Sequence, residues 1–226
     1  MSDIGLLNEK TLHASLKKWY ARPGDRFEVP VDGFVIDIVR DGLLLEIQTG
    51  NFSAIKSKLI NLVRAHRVRL IYPIAEERWI IKLSRDSRTK ESRRKSPKRG
   101  RVEDLFREMV SFPQLLTDPN FTLEVLLIRE EQVRRYGGKR YWRSRGWVIE
   151  DRRLMEVKNR RLFEGPEDWR EFVPQALECF TVKELAQILG IRTALAQKMV
   201  YCLRKSGVVE LTGRLGRANV YRGRAK

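Results

Sequence analysis

Residues Gly33-Phe-Val-Ile-Asp-Ile-Val-Arg-Asp-Gly-Leu-Leu-Leu-Glu-Ile-Gln-Thr49 decide how this chain is read. Two apolar runs flank an Asp41-Gly42 step, which suits a tight hairpin turn because both central residues there need positive φ. A two-residue turn sets Arg40 opposite Leu43, Val39 opposite Leu44 and Asp37 opposite Glu46. Side chains alternate along a strand, so this register predicts both carboxylates on one face, with Gln48 beside them. Opposed β-carbons lie roughly 5 Å apart, and like charges at that spacing are destabilising. Folding alone gives no reason for the pair. A divalent cation held between the carboxylates, or an arginine partner, removes the repulsion.

The flanking sequence supplies an α/β frame. Asn8 is a good helix N-cap, Leu7 and Leu12 form a hydrophobic staple, and Leu12, Leu16, Trp19 and Tyr20 carry the stripe to the Pro23-Gly24 break. Asp25 to Val31 reads as a strand. Residues 52–66 form a second amphipathic helix, and Val68–Tyr72 and Trp79–Leu83 two further strands. Helix, three strands, helix and strand within about 80 residues is an α/β order. Residues 84–101 lack apolar periodicity and read as a mobile basic loop or arm. Residues 102–116 are expected helical and 121–128 a strand; 134–161 mix Tyr136, Tyr141, Trp142 and Trp147 with bases, and the pattern assigns no element there.

Past Asp168 the signals change. A helix over 168–178 precedes Thr181, which with Glu184 makes a capping box for a helix Val182–Leu189 stopped by Gly190. Thr193 is expected to cap a helix reaching Ser206. Val208–Leu211 and Asn219–Tyr221 then frame a hairpin around Gly213 to Gly216. The expected organisation is a core over 1–83, the basic arm 84–101, a continuation of the core over 102–166, and a small domain over 167–226.

Charge points to the partner. The 226 residues carry 46 Lys and Arg against 29 Asp and Glu, a formal +17, which draws the chain to polyanions, nucleic acid foremost. The excess is uneven: residues 1–50 hold eight acids and six bases, residues 84–101 nine bases and two acids. The acidic hairpin therefore sits in the least basic part of a basic chain. No apolar run approaches the length of a membrane span, and no secretory leader is evident, so a cytoplasmic location is expected. Cys179 and Cys202 read as reduced core residues, and His13 and His66 as too isolated for a His/Cys zinc cluster.

On Glu9, Asp37 and Glu46-Ile47-Gln48, in this order of elements over residues 8–75, the chain resembles the PD-(D/E)xK nuclease superfamily, whose fold is that of restriction endonucleases. The resemblance implies a mixed sheet flanked by helices and one or two Mg²⁺ (or Mn²⁺) ions that activate water against a phosphodiester. It makes Asp37 and Glu46 metal ligands and Glu9 an accessory one. Two departures stand out. No Pro precedes Asp37, and Gln48 occupies the position where the family usually has Lys. Gln48 itself, or a Lys moved to the following helix, with Lys56 assigned and Lys58 beside it, takes the catalytic place. The C-terminal 55 residues resemble winged helix-turn-helix domains, which implies DNA contacts from Arg192, Thr193, Gln197, Lys198 and Tyr201 on the second helix and from Arg214 and Arg217 on the wing. Arg93, Arg94, Lys95, Lys98 and Arg99 of the arm join them.

The expected function is a Mg²⁺-dependent DNA endonuclease. The alternatives are a non-catalytic DNA-binding or regulatory protein with a degenerate nuclease fold, and a subunit of a repair or defence complex. Oligomeric state stays open, with a homodimer suggested by the superfamily's habit of cutting two strands as dimers.

Overall fold

The computed structural model describes residues 11–84, 89–174 and 177–223. Helix α1 (Thr11–Tyr20) leads into β1 (Arg26–Val31), β2 (Phe34–Arg40) and β3 (Leu43–Ile47), and a helical turn at Phe52–Ile55 opens α2 (Lys56–Leu62). The long strand β4 (Arg67–Leu83), β5 (Lys90–Lys95), the one-turn helix α3 (Phe106–Met109), β6 (Phe121–Tyr136) and β7 (Trp147–Phe163) complete a seven-stranded mixed sheet in the order β1-β2-β3-β4-β6-β7, with β5 on the far end of β4. Helices α4 (Pro166–Arg170), α5 (Val182–Leu189) and α6 (Thr193–Lys205) follow. With β8 (Cys179–Thr181), β9 (Val209–Leu215) and β10 (Ala218–Gly223) they build a separate antiparallel sheet ordered β8-β10-β9. The protein is thus mixed α/β: one large sheet flanked by helices and one small sheet.

Two Asp-Gly turns shape the first edge. Asp41 and Gly42 have φ of 47° and 76°, and Asp32 and Gly33 have 49° and 80°, so each pair closes a two-residue hairpin. The observed register pairs Arg40 with Leu43, Val39 with Leu44 and Ile38 with Leu45, as the turn predicts. α2 is the crossover that lets β3 run parallel to β4. One face of the sheet packs Ile38, Leu45, Ile47, Ile71, Leu126 and Ile128 against Leu12, Leu16 and Tyr20 of α1. The other face buries Leu44, Leu70, Ile74, Leu123 and Val125 with α2, α3 and α6 in a single cluster, so the apolar core runs unbroken from the large sheet into the C-terminal helices.

Several expectations need correction. The two strands expected at 68–72 and 79–83 are one, interrupted by a register shift between Ala75 and Glu77. Pro73 is tolerated because its amide side is the side on which Ile71 accepts from Gln48, and β3 pairs no further than Ile71. Part of the basic arm is a strand: Lys90–Lys95 form β5, pairing Trp79 with Lys95 and Ile81 with Arg93, while residues 96–101 have no regular structure. An all-polar edge strand has no apolar alternation to betray it. The helix expected over 102–116 is broken into turns at Val102–Leu105 and Pro113–Thr117 around α3. The helix expected over 168–178 ends at Arg170, ahead of Pro174, which has no amide to donate. Thr181 does form its capping box with Glu184, but α6 is capped by extended Arg192 and Thr193 is its first residue. Cys202 is buried as expected, whereas Cys179 is exposed on β8. The start of α1, with Leu7, Asn8 and Glu9, lies outside the described residues.

Candidate active site

The site forms where β2 and β3 stop pairing. Beyond Ile38 and Leu45 the ladder is continued by a side chain: Asp37 Oδ2 accepts from the Ile47 amide at 2.8 Å. That bond fixes the Asp37 carboxylate against β3. From α1, His13 Nε2 approaches the same oxygen at 3.2 Å and Lys17 Nζ lies 3.9 Å from Oδ1. Burial raises the Asp37 pKa, but His13, the Ile47 amide and Lys17 outweigh it and hold the carboxyl below its ordinary value.

Glu46 has a different setting. It is 7% exposed, and Lys58 Nζ donates to its Oε1 at 2.6 Å while also donating to the Val35 carbonyl at 2.6 Å. Its Oε2 is buried and accepts no hydrogen bond among the described residues. Burial, and then the charge of Asp37, push the Glu46 pKa well above the carboxylate range, against the pull of Lys58. The charge of Asp37 reaches Glu46, but the ladder ends at Ile38 and Leu45 without pairing the two acids. Each meets a cation from a helix on a different face of the sheet, so the expected placement of both carboxylates and Gln48 on one face is not met.

The remaining expected residues divide. The Gln48 side-chain amide donates to the Gly50 carbonyl and, at 3.3 Å, to that of Asn51, so it braces the loop after β3. Lys56 is not at the carboxylates. It lines a surface pocket with Tyr201 and Lys205, and Lys58, two residues on, is the ammonium that reaches Glu46. Residues two apart in a helix point to nearly opposite sides, which separates the two lysines. Glu9 lies outside the described residues. Among the described residues no three His, Cys, Asp or Glu side chains converge as a metal cluster. Two carboxylates with an orphaned buried oxygen suit Mg²⁺, which keeps several waters and binds through one or two carboxylates.

A basic cleft of about 650 Å³ opens further along the same sheet face, past Tyr72 and Ile74. Lys98 and Arg99 from the arm meet Arg192 at the start of α6 there, together with Arg78, Arg107 and Arg152, which sequence reading missed. The loop residues Thr49 and Gly50 form its near wall, so it begins three residues after Glu46. Burial and the charges of Arg78 and Arg94 lower the Arg134 pKa, a sign of crowded positive charge. Arg93 and Lys95 serve the fold instead: Arg93 covers the Trp79 ring at 4.0 Å and bonds Glu131 at 2.8 Å, and Lys95 pairs with Glu77 at 3.0 Å. On α6, Thr193 and Gln197 are exposed, Lys198 donates to the Arg107 carbonyl at 3.3 Å, and Tyr201 faces the Lys56 pocket. Arg214 and Arg217 are exposed at the β9–β10 turn. No described helix is long and apolar enough to cross a membrane.

Fold and site together define a mixed α/β protein with a paired-carboxylate hairpin beside a cationic cleft. The chain belongs to the family described as a domain of unknown function, DUF8091, which matches residues 10–164. That match ends one residue past β7, where the large sheet ends. A protein of Treponema pallidum (strain Nichols), described as uncharacterized, is 30% identical over 225 residues, covering 97% of this chain and 87% of its own length. The likeness therefore takes in the C-terminal sheet as well. No solved structure matches.

Proposed function

We propose that the protein is a Mg²⁺-dependent DNA nuclease of the PD-(D/E)xK kind whose C-terminal region is a winged helix. The observation that carries this reading is Glu46 Oε2: a buried carboxylate oxygen without a hydrogen-bond partner among the described residues, within reach of the charge of a second carboxylate. Leaving a buried acceptor unmade costs about 1–3 kcal/mol, more for a charged one. A ligand that neutralises both acids offsets that cost.

Asp37 and Glu46 are the residues that would hold the ion. Bound Mg²⁺ supplies a Lewis acid for the phosphodiester and lowers the pKa of the attacking water. The protein's own part is positional. The Ile47 amide orients Asp37, and Lys58 brings to Glu46 the positive charge that Gln48 lacks. The cleft, where Lys98, Arg99 and Arg192 meet, receives the neighbouring phosphates. In the C-terminal region, α5 and α6 beside the β8-β10-β9 sheet support the winged-helix reading. The exposed residues at the start of α6, Arg192, Thr193 and Gln197, and the wing residues Arg214 and Arg217 are its DNA contacts.

One specific observation favours a second reading, a DNA-binding protein that does not cut. Glu46 already has Lys58, and Gln48 is turned into its own loop. The test incubates purified protein with supercoiled, linear and branched DNA in Mg²⁺, Mn²⁺ or EDTA. Metal-dependent cleavage lost in Asp37→Ala and Glu46→Ala, with DNA binding kept, is the expected result. Tight binding without cleavage of any substrate establishes the second reading in its place.

A further inference from the structure

The β6–β7 hairpin ends in a ten-residue tip, residues 137–146, that contains Lys139, Arg140, Arg143 and Arg145 and no acid. The tip is a built loop. Gly137 donates to the Gly146 carbonyl at 2.7 Å, Gly146 to Tyr141 at 2.9 Å, and Arg145 to Trp142 at 3.0 Å. A β-carbon on Gly146 would lie 2.4 Å from the Tyr136 ring, and one on Gly137 would lie 2.8 Å from the Tyr141 ring. Tyr136 also meets Trp147 edge to face at 5.8 Å, and Lys82 covers Trp147 at 4.3 Å. Three of the four aromatic rings are thus spent on closing the loop.

Trp142 is not. It is 72% exposed, the highest value among the large apolar side chains described, and Arg143 lies 5.3 Å from its ring centroid. The acids nearest in sequence are engaged: Glu150 with Arg135, Asp151 with Arg153 and Glu131 with Arg93. A large π-face held outward on a rigid, wholly cationic loop has the two elements that bind single strands: a platform for a base and positive charge for the phosphates on either side.

We propose that the hairpin tip is a docking site for an unpaired nucleotide stretch of DNA, with Trp142 stacking on a base and Arg140, Arg143 and Arg145 contacting the flanking phosphates. This assigns the substrate class of the enzyme as DNA that contains single-stranded or branched segments, and it rests on the nucleic-acid part of the reading above, not on the metal site.

The test measures fluorescence polarisation of a labelled oligo-dT and of a blunt duplex of equal length, with full-length protein in EDTA so that no cleavage intrudes. Trp142→Ala is expected to weaken oligo-dT binding about 5- to 150-fold, to leave duplex affinity within about twofold, and to be largely rescued in Trp142→Phe. Equal loss on both probes, no loss on either, or a Phe variant no better than Ala overturns the assignment. So does a Trp142→Ala variant that loses sedimentation with phosphatidylserine vesicles while keeping oligo-dT, which would make the tip a lipid contact. Wild-type protein that binds neither probe defeats the nucleic-acid reading as a whole. Failure of metal-dependent cleavage with intact Trp142-dependent binding defeats the metal site alone.

Discussion

Glu130 and Glu46 are both buried carboxylates on the large sheet, and they are treated in opposite ways. Glu130 has no exposed surface, and it is clasped by Arg78 at 2.5 Å and by both Nε and Nη2 of Arg152 at 2.9 and 2.7 Å, so each oxygen is satisfied. Glu124 is similar, bonded by Tyr20 at 2.5 Å and paired with Arg160 at 3.2 Å. Among the described residues Glu46 has one lysine, one oxygen without a hydrogen bond, and the charge of a second carboxylate nearby. A carboxylate that only holds a fold together is surrounded until its charge is fully answered. The one at the hairpin is left partly unanswered among the described residues, and the proposed metal reading rests on that difference.

The contrast can be broken most forcefully at Glu130. Glu130→Ala strands two guanidinium groups and should cost about 3–5 kcal/mol of stability, read as a drop in the urea midpoint at unchanged slope. Glu46→Gln should do the reverse. Removing a desolvated, half-satisfied charge is expected to leave stability unchanged or raise it by about 1–3 kcal/mol, while metal-dependent cleavage is lost; a large destabilisation would put Glu46 in the same structural class as Glu130. Glu77 gives a third, pH-dependent case. Lys95 first, then Lys158 and Arg129, hold its pKa at about 2, below its ordinary 4.5. A lowered carboxylate pKa adds stability that is present above 4.5 and lost as pH falls towards 2. Melting temperature should therefore fall across that window, and Glu77→Gln should flatten this part of the curve. The smallest effect belongs to the cleft: Arg192→Ala should lower the salt dependence of duplex binding by about one unit of slope.

Much of this contrast was legible in the sequence. The Asp41-Gly42 step dictates the hairpin register as far as Ile38 and Leu45; beyond them Asp37 turns to the Ile47 amide, so the expected pairing of Asp37 with Glu46 across the ladder does not form. The heptad-like spacing of Leu195, Met199, Val200 and Leu203 names the buried side of α6, and all four are buried. The Thr181–Glu184 capping box stands as read. What escaped has physical reasons. β5 is made of charged and polar residues, so no apolar period reveals it. Choosing Lys58 over Lys56 requires the angle at which α2 crosses the sheet, a tertiary quantity. Arg78 on β4, Arg107 on α3 and Arg152 on β7 are separated by tens of residues and meet only in the tertiary fold, and Glu130, which Arg78 and Arg152 clasp, looks in sequence like any solvated acid.

The edge of β4 carries one further lesson. β3 leaves it after Ile71 and β5 joins it at Trp79, and in the interval the chain crosses back so that Gly100 donates to the Ala75 carbonyl at 2.9 Å. A methyl group on Gly100 would sit 2.6 Å from both that oxygen and the Ile74 side chain. The segment bearing Lys98 and Arg99 is therefore moored at a point where only hydrogen fits. Adding a single carbon there would pry the mooring loose and shift two of the cleft's cations with it, so their placement depends on the smallest side chain the protein has.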